Sequence, residues 1–179
     1  MRLLLILCCF VVATTARADQ TDPRLETLFA RLRQADAFEA PAIEATIWQV
    51  WAITRTEEAI LPYRMGVAAM EGGRLAEALA QFDDVVAKAP DFSEGWNKRA
   101  TVLYLLRRFD ESAADVERTL ALEPRHFGAL AGLGLIRRAQ GRDGEALTAL
   151  ERALAVNPHM DQIATAVRDL RRRVRGRAI

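Results

Sequence analysis

Three prolines, Pro90, Pro124 and Pro158, stand 34 residues apart, and each closes an apolar segment with helical spacing: Val-Ala-Lys-Ala-Pro, Ala-Leu-Glu-Pro and Ala-Val-Asn-Pro. Proline stops a helix because it lacks the N–H and its ring clashes with the preceding turn. Stops at one fixed interval constrain the chain to repeated helical units. A single such unit cannot bury its own apolar stripe, so neighbours must stack.

With each proline set at position 32, the units begin at Ala59, Ser93 and Phe127 and span 59–92, 93–126 and 127–158. Other positions then fall into register. Position 8 reads Gly66, Ala100, Gly134, and position 20 reads Ala78, Ser112, Ala146, small residues where two helices of a pair come closest. Position 24 reads Phe82, Val116, Leu150, a large apolar residue that fills the layer, and position 4 reads Pro62, Trp96, Leu130. The spacing predicts first helices near 58–71, 92–105 and 126–139 and second helices near 75–88, 109–122 and 143–156. The turns between them are short, Gly72-Gly73-Arg74, Arg107-Arg108 and Gly141-Arg142-Asp143, as antiparallel neighbours require. Asp91, after Pro90, is expected to cap the first helix of the second unit.

On these residues the chain resembles the tetratricopeptide repeat family over 59–158, without insertions. The resemblance implies an all-α fold, a right-handed α-solenoid of antiparallel helix pairs with a protein-binding concave surface. Two positions depart from the family pattern. Pro62 stands where a large residue is usual, in what is expected to be the first helical turn, and position 7 of the second unit is Arg99, which makes that layer less apolar.

Residues 19–56 carry two further periodic stripes, Leu25, Leu28, Phe29 and Leu32, then Ile43, Ile47, Trp48, Val50 and Trp51. In the repeat frame this segment matches poorly, with Glu44 at position 20 and Thr56 at position 32. It is expected to be a degenerate helix pair that covers the first repeat. In 159–179, Ile163, Val167, Leu170 and Val174 mark a capping helix, followed by an arginine-rich tail.

Residues 1–18 are expected to be a secretory signal peptide. Arg2 precedes an uninterrupted apolar run from Leu3 to Ala13, and Ala16-Arg17-Ala18 forms a small-x-small site before Asp19. The run is shorter than the roughly 20 apolar residues of a membrane span. Cys8 and Cys9 lie inside it, whereas a lipid-acceptor cysteine follows such a run; both leave with the segment. The mature chain then has no thiol for a disulfide, a nucleophile or a metal. The expected location is the periplasm, and the whole layout is similar to short exported repeat proteins of Gram-negative bacteria.

Without residues 1–18 the chain keeps 23 basic and 24 acidic residues, a balance with no general attraction to nucleic acid. Catalytic chemistry has little to work with. His126 and His159, the only histidines, are read as exposed turn residues; a zinc site would need three or four converging ligands. Gly128, Gly132 and Gly134 lie within a helix, with no preceding strand and no GKS/T signature. No enzyme activity, catalytic residue, metal or cofactor is expected.

A partner-binding groove is. In the family, first-helix positions 2, 5, 6, 9, 12 and 13 line the concave side and commonly meet peptides. Here they place Tyr63, Arg64, Val67, Asn97, Lys98, Thr101, Tyr104, Ala131, Leu135 and Arg138 in the groove. Gly128 and Gly132 would let a ligand approach closely. The basic clamp by which family members hold acidic chaperone C-termini is absent, because Tyr63, Val67, Gly128 and Gly132 stand at its positions. The expected function is that of an exported scaffold or assembly factor that binds a protein or peptide. The alternative is an envelope assembly or maturation factor that meets the membrane surface through Arg168 to Arg177.

Overall fold

In the computed structural model the described residues are 19–177; the expected signal peptide lies outside them. They form nine helices: α1 (Arg24–Gln34), α2 (Ala40–Trp51), α3 (Glu57–Glu71), α4 (Leu75–Lys88), α5 (Ser93–Leu105), α6 (Phe109–Leu122), α7 (Phe127–Ala139), α8 (Asp143–Val156) and α9 (Asp161–Arg177). No helix among them is long and apolar enough to cross a membrane.

Helices α3–α4, α5–α6 and α7–α8 are antiparallel pairs, each stacked on the next, and α9 closes the row against α8. The small and large repeat positions meet as their spacing predicts. A Cβ on Gly66 would stand 2.8 Å from the Phe82 ring, and one on Gly134 would overlap the Leu150 side chain. Each glycine therefore admits the large residue of its partner helix. In the middle pair Ala100 stands at the glycine position, and Ser112 on the partner helix donates its hydroxyl to the Ala100 carbonyl at 2.7 Å. Gly73 (φ 71°) and Gly141 (φ 75°) end the first helices in the left-handed region, and Arg107 (φ 61°) adopts it in the middle repeat, where no glycine is present.

Arg99 does more than dilute its layer. Its guanidinium binds both carboxylate oxygens of Asp115 and also reaches Asp83, which ties α5 to α6 and α4. Two local expectations change. The α5 cap position is Phe92, not Asp91, and no side chain caps that end. Pro62 sits in the second turn of α3 rather than the first, because the helix begins at Glu57.

The N-terminal pair does not cover the first repeat. The apolar stripe of α1 and α2 shares its core with Phe127, and Trp48, Val156 and Met160 pack on that core. The hairpin lies across the loops that enter α5, α7 and α9. Gln20 donates to the Asp91 carbonyl, Arg125 pairs with Glu26, Asn157 donates to Glu44, and His159 donates to the Leu32 carbonyl. The reason is aromatic: Trp48 and Trp51 find His126 and Phe127 at ring distances of 4.1–5.5 Å, with Phe29 behind Trp51 at 5.8 Å, contacts that α3 cannot supply. Leu61 and Met65 of α3 consequently stay 65% and 44% exposed. One repeat on, the counterpart of Leu61 is Gly95, which packs on Val85 of the preceding pair, and that of Met65 is Arg99, which reaches Asp83 of the same helix.

Candidate functional site

Helices α3, α5 and α7 present their outward residues to one concave face, and the hairpin divides it. Over the first turns of α5 and α7 the face is covered. Trp48 lies against Gly128 so closely that a Cβ there would overlap the indole, and Lys98 Nζ sits 5.9 Å above the Trp48 ring. Beneath the cover is a closed polar network. Glu94, 1% exposed, accepts from Asn97 Nδ2 at 2.8 Å and pairs with Lys98 Nζ at 3.1 Å.

His126 completes the network. Its Nδ1 accepts the Ala129 N–H at 3.1 Å and so caps α7. The proton is therefore on Nε2, which donates to Glu94 at 2.9 Å. Burial pushes the Glu94 carboxyl toward its neutral form. The His126 hydrogen bond, the Lys98 charge and the Asn97 amide outweigh burial and hold it below the usual glutamate range. Both histidines depart from the expectation of exposed turn residues: His126 is fully buried and His159 half-buried. Spacing alone cannot reveal this, because the covering residues come from outside the repeat.

Of the expected groove residues, Tyr63, Asn97 and Ala131 are buried, at 8%, 8% and 7% exposure. Tyr63 packs on the rings of Phe82 and Phe92 at 6.2 and 5.2 Å. Burial, with the nearby Glu94 charge, raises its phenol far above the ordinary tyrosine range. It belongs to the core of the first repeat. Lys98 is committed to Glu94, Val67 is half-buried, and Arg64 and Arg138 are exposed at the rim.

The rest of the groove is open. Between α5 and α7 lies a cleft of about 200 Å³ lined by Asn97, Ala100, Thr101, Tyr104, Ser112, Val116, Gly128, Gly132, Leu135 and Ile136. Thr101, Tyr104 and Leu135, all expected in the groove, are brought together here. A Cβ on Gly132 would meet nothing within 4 Å, so the missing side chain is what opens the mouth. Tyr104 leans on Phe109 at 5.6 Å, which fixes its ring as one wall. The site offers apolar surface and hydrogen-bonding groups rather than reactive ones. Among the described residues no group of three or more His, Cys, Asp or Glu side chains could hold a metal ion.

The tetratricopeptide repeat family model matches residues 63–115 and 98–161. A TPR repeat-containing protein of Rhizobium etli is 36% identical over 136 residues, which cover 75% of this chain and 67% of that protein. The Hsp70-Hsp90 organizing protein of Triticum aestivum is 29% identical over 107 residues, 60% of this chain and only 18% of the wheat protein. Among solved structures, the first TPR of Spaghetti bound to an HSP90 peptide aligns with TM-score 0.65 at 20% identity, over 68% of this chain and 96% of that one. The Sgt2 TPR domain from Aspergillus fumigatus aligns with TM-score 0.63 at 21% identity, over 67% and 81%. With its repeats, its helix pairs and these relatives in agreement, the chain belongs to the tetratricopeptide repeat family.

Proposed function

We propose that the protein is an exported interaction module that holds a peptide or partner segment in the open part of its concave face and has no catalytic role. The observation that carries the reading is the cleft between α5 and α7, where Tyr104 and Leu135 face each other across the space left by Gly132. Glycine within a helix costs roughly 1 kcal/mol relative to alanine, and this one has no packing neighbour that requires it. Together with the cleft it lines, this bare backbone gives an outside side chain room to rest on the helix. Solved neighbours of the same fold include a TPR bound to an HSP90 peptide, which supports a peptide as the class of partner.

The reading by which the arginine-rich end meets a membrane surface is weaker. Arg171 is paired with Glu151 and Arg172 with Asp169, and Arg168 donates to Thr165. Export rests on the apolar run and the Ala16-Arg17-Ala18 site. A photo-crosslinking residue placed at Tyr104 in the producing cells tests the function directly. Adducts at 104, absent when the same group is placed at Arg173, are the expected result. Adducts at 173 alone would move the working surface to α9.

A further inference from the structure

The hairpin shows what the groove accepts, because it already occupies part of it. Trp48 rests on Gly128, a groove position on the first turn of α7, and does so as a ligand would: an aromatic side chain set directly on a helix backbone that lacks a Cβ. Gly132 lies one turn further along the same face and has the same bare backbone with nothing upon it. Resting on the groove reading above, we propose that the α1–α2 hairpin is a built-in half of the ligand and that the partner continues it. The partner would seat one apolar side chain of leucine to phenylalanine size on Gly132, beside Trp48.

Size selects that occupant. The cleft is about 200 Å³, and a cavity of roughly 150 Å³ already holds a benzene ring, so one large apolar side chain fills it and two do not. Its lining combines the buried Val116 and Ile136 and the half-buried Tyr104 and Leu135 with the polar Thr101 and Ser112. Lys98, the cation beside the covered end, is already neutralised by Glu94 at 3.1 Å, so an acidic chain end finds no free partner there. The hairpin also narrows the face. Only the last two turns or so of α5 and α7 remain uncovered, a strip about 12 Å wide at 1.5 Å per residue. That suits an extended segment that runs across the helices, with alternate side chains turned inward.

A displayed library of random dodecapeptides, panned on the wild-type protein, Gly132→Leu and Trp48→Ala, tests this. Melting curves verify that each variant is folded. Wild type should enrich peptides that share a single apolar position and crosslink near Tyr104. Gly132→Leu fills the cleft from within and should bind those peptides roughly tenfold more weakly. Trp48→Ala vacates the neighbouring seat and should enrich peptides with a second apolar position. If the enriched peptides crosslink near Tyr104 but carry acidic ends and no shared apolar position, or ignore Gly132→Leu, this inference fails and the groove reading stands. If they attach elsewhere, or if none is enriched, both fail.

Discussion

The indole of Trp51 lies flat on the imidazole of His126, with ring centroids 4.1 Å apart and planes 9° from parallel. Trp51 ends α2 and His126 caps α7, so this one stack joins the N-terminal hairpin to the solenoid. His126 passes the connection on through its hydrogen bond to Glu94 of α5. Three elements that are distant in sequence thus meet in one buried cluster.

Trp51→Ala should cost about 3–5 kcal/mol, the usual effect of deleting a large buried aromatic side chain, because Trp51 is fully buried and touches Phe29, Trp48, His126 and Phe127. The loss should be local as well as global. Hydrogen exchange should show α1 and α2 opening while α3 to α8 stay protected. Uniform loss of protection would mean that the hairpin and the repeats fold as one unit.

Glu94 makes stability depend on pH. Its carboxyl titrates below the usual range when folded, and an unfolded glutamate titrates near about 4.3. A group depressed in this way stabilises the fold fully above the unfolded value, and the contribution is lost as pH falls through the folded one. Urea midpoints should therefore drop as pH is lowered below about 5, and Glu94→Gln should flatten that drop while lowering stability at neutral pH. Equal acid slopes for the two proteins would show that Glu94 does not contribute to acid sensitivity.

The repeat was legible because its determinants are local and periodic. Gly66 with Phe82, and Gly134 with Leu150, sit at a fixed offset within one unit, and the proline stops set the frame. Helices read at 75–88, 109–122 and 143–156 stand at those residues. The hairpin's position was not legible, because it depends on contacts outside the repeat. Nothing local tells Trp48 to choose Gly128 over the bare face of Leu61 and Met65. The same blind spot hid His126 and the cover over Asn97, whereas Tyr63 is buried by Phe82 and Phe92 of its own unit. Gly128 did carry a signal, since a close-approaching ligand was expected there; the ligand proved to be the chain's own tryptophan.

Two glycines on α7 should respond in opposite ways to the same change. Gly134→Ala drives a methyl group into Leu150 and should destabilise by about 1–3 kcal/mol, as overpacking does. Gly132→Ala meets nothing and should stabilise by about 0.5–1 kcal/mol through helix propensity alone. Thermal melts of the two purified variants decide the matter. A loss in both would place Gly132 in the packing after all. Ala146→Leu should behave like Gly134→Ala, since Ala146 is fully buried and its carbonyl faces Gly134 at the same contact.

Arg107 holds a left-handed backbone, φ 61°, where the first and third repeats use glycine. A side chain in that region costs roughly 1–2 kcal/mol, partly offset here by the guanidinium resting 5.6 Å over the Phe109 ring. Arg107→Gly should raise stability by about 0.5–1 kcal/mol once the added freedom of the unfolded chain is subtracted. Chemical denaturation at neutral pH would reveal it as a higher midpoint with an unchanged slope. A lower midpoint would mean that the arginine–aromatic contact outweighs the strain.

Binding should separate the groove from the C-terminal helix. Tyr104 is half-buried, lines the cleft and keeps its ring against Phe109. Aromatic side chains in such positions anchor interfaces because they desolvate a large area at little entropic cost. Tyr104→Ala should weaken a groove-bound peptide by about 1–3 kcal/mol. Loss of the Phe109 contact should cost only about 1 kcal/mol of stability, so the variant remains folded at the temperature of the titration. Replacing Arg171, Arg172 and Arg173 together should leave that affinity unchanged, because α9 packs on α8 and contributes nothing to the cleft. The same triple variant should lose any affinity for anionic vesicles, about 1 kcal/mol for each charge near the surface. Titrating both variants against one captured peptide and against vesicles gives four numbers with a definite expected pattern. Full peptide affinity in Tyr104→Ala, together with lost affinity in the arginine variant, would reverse it and assign the working surface to α9.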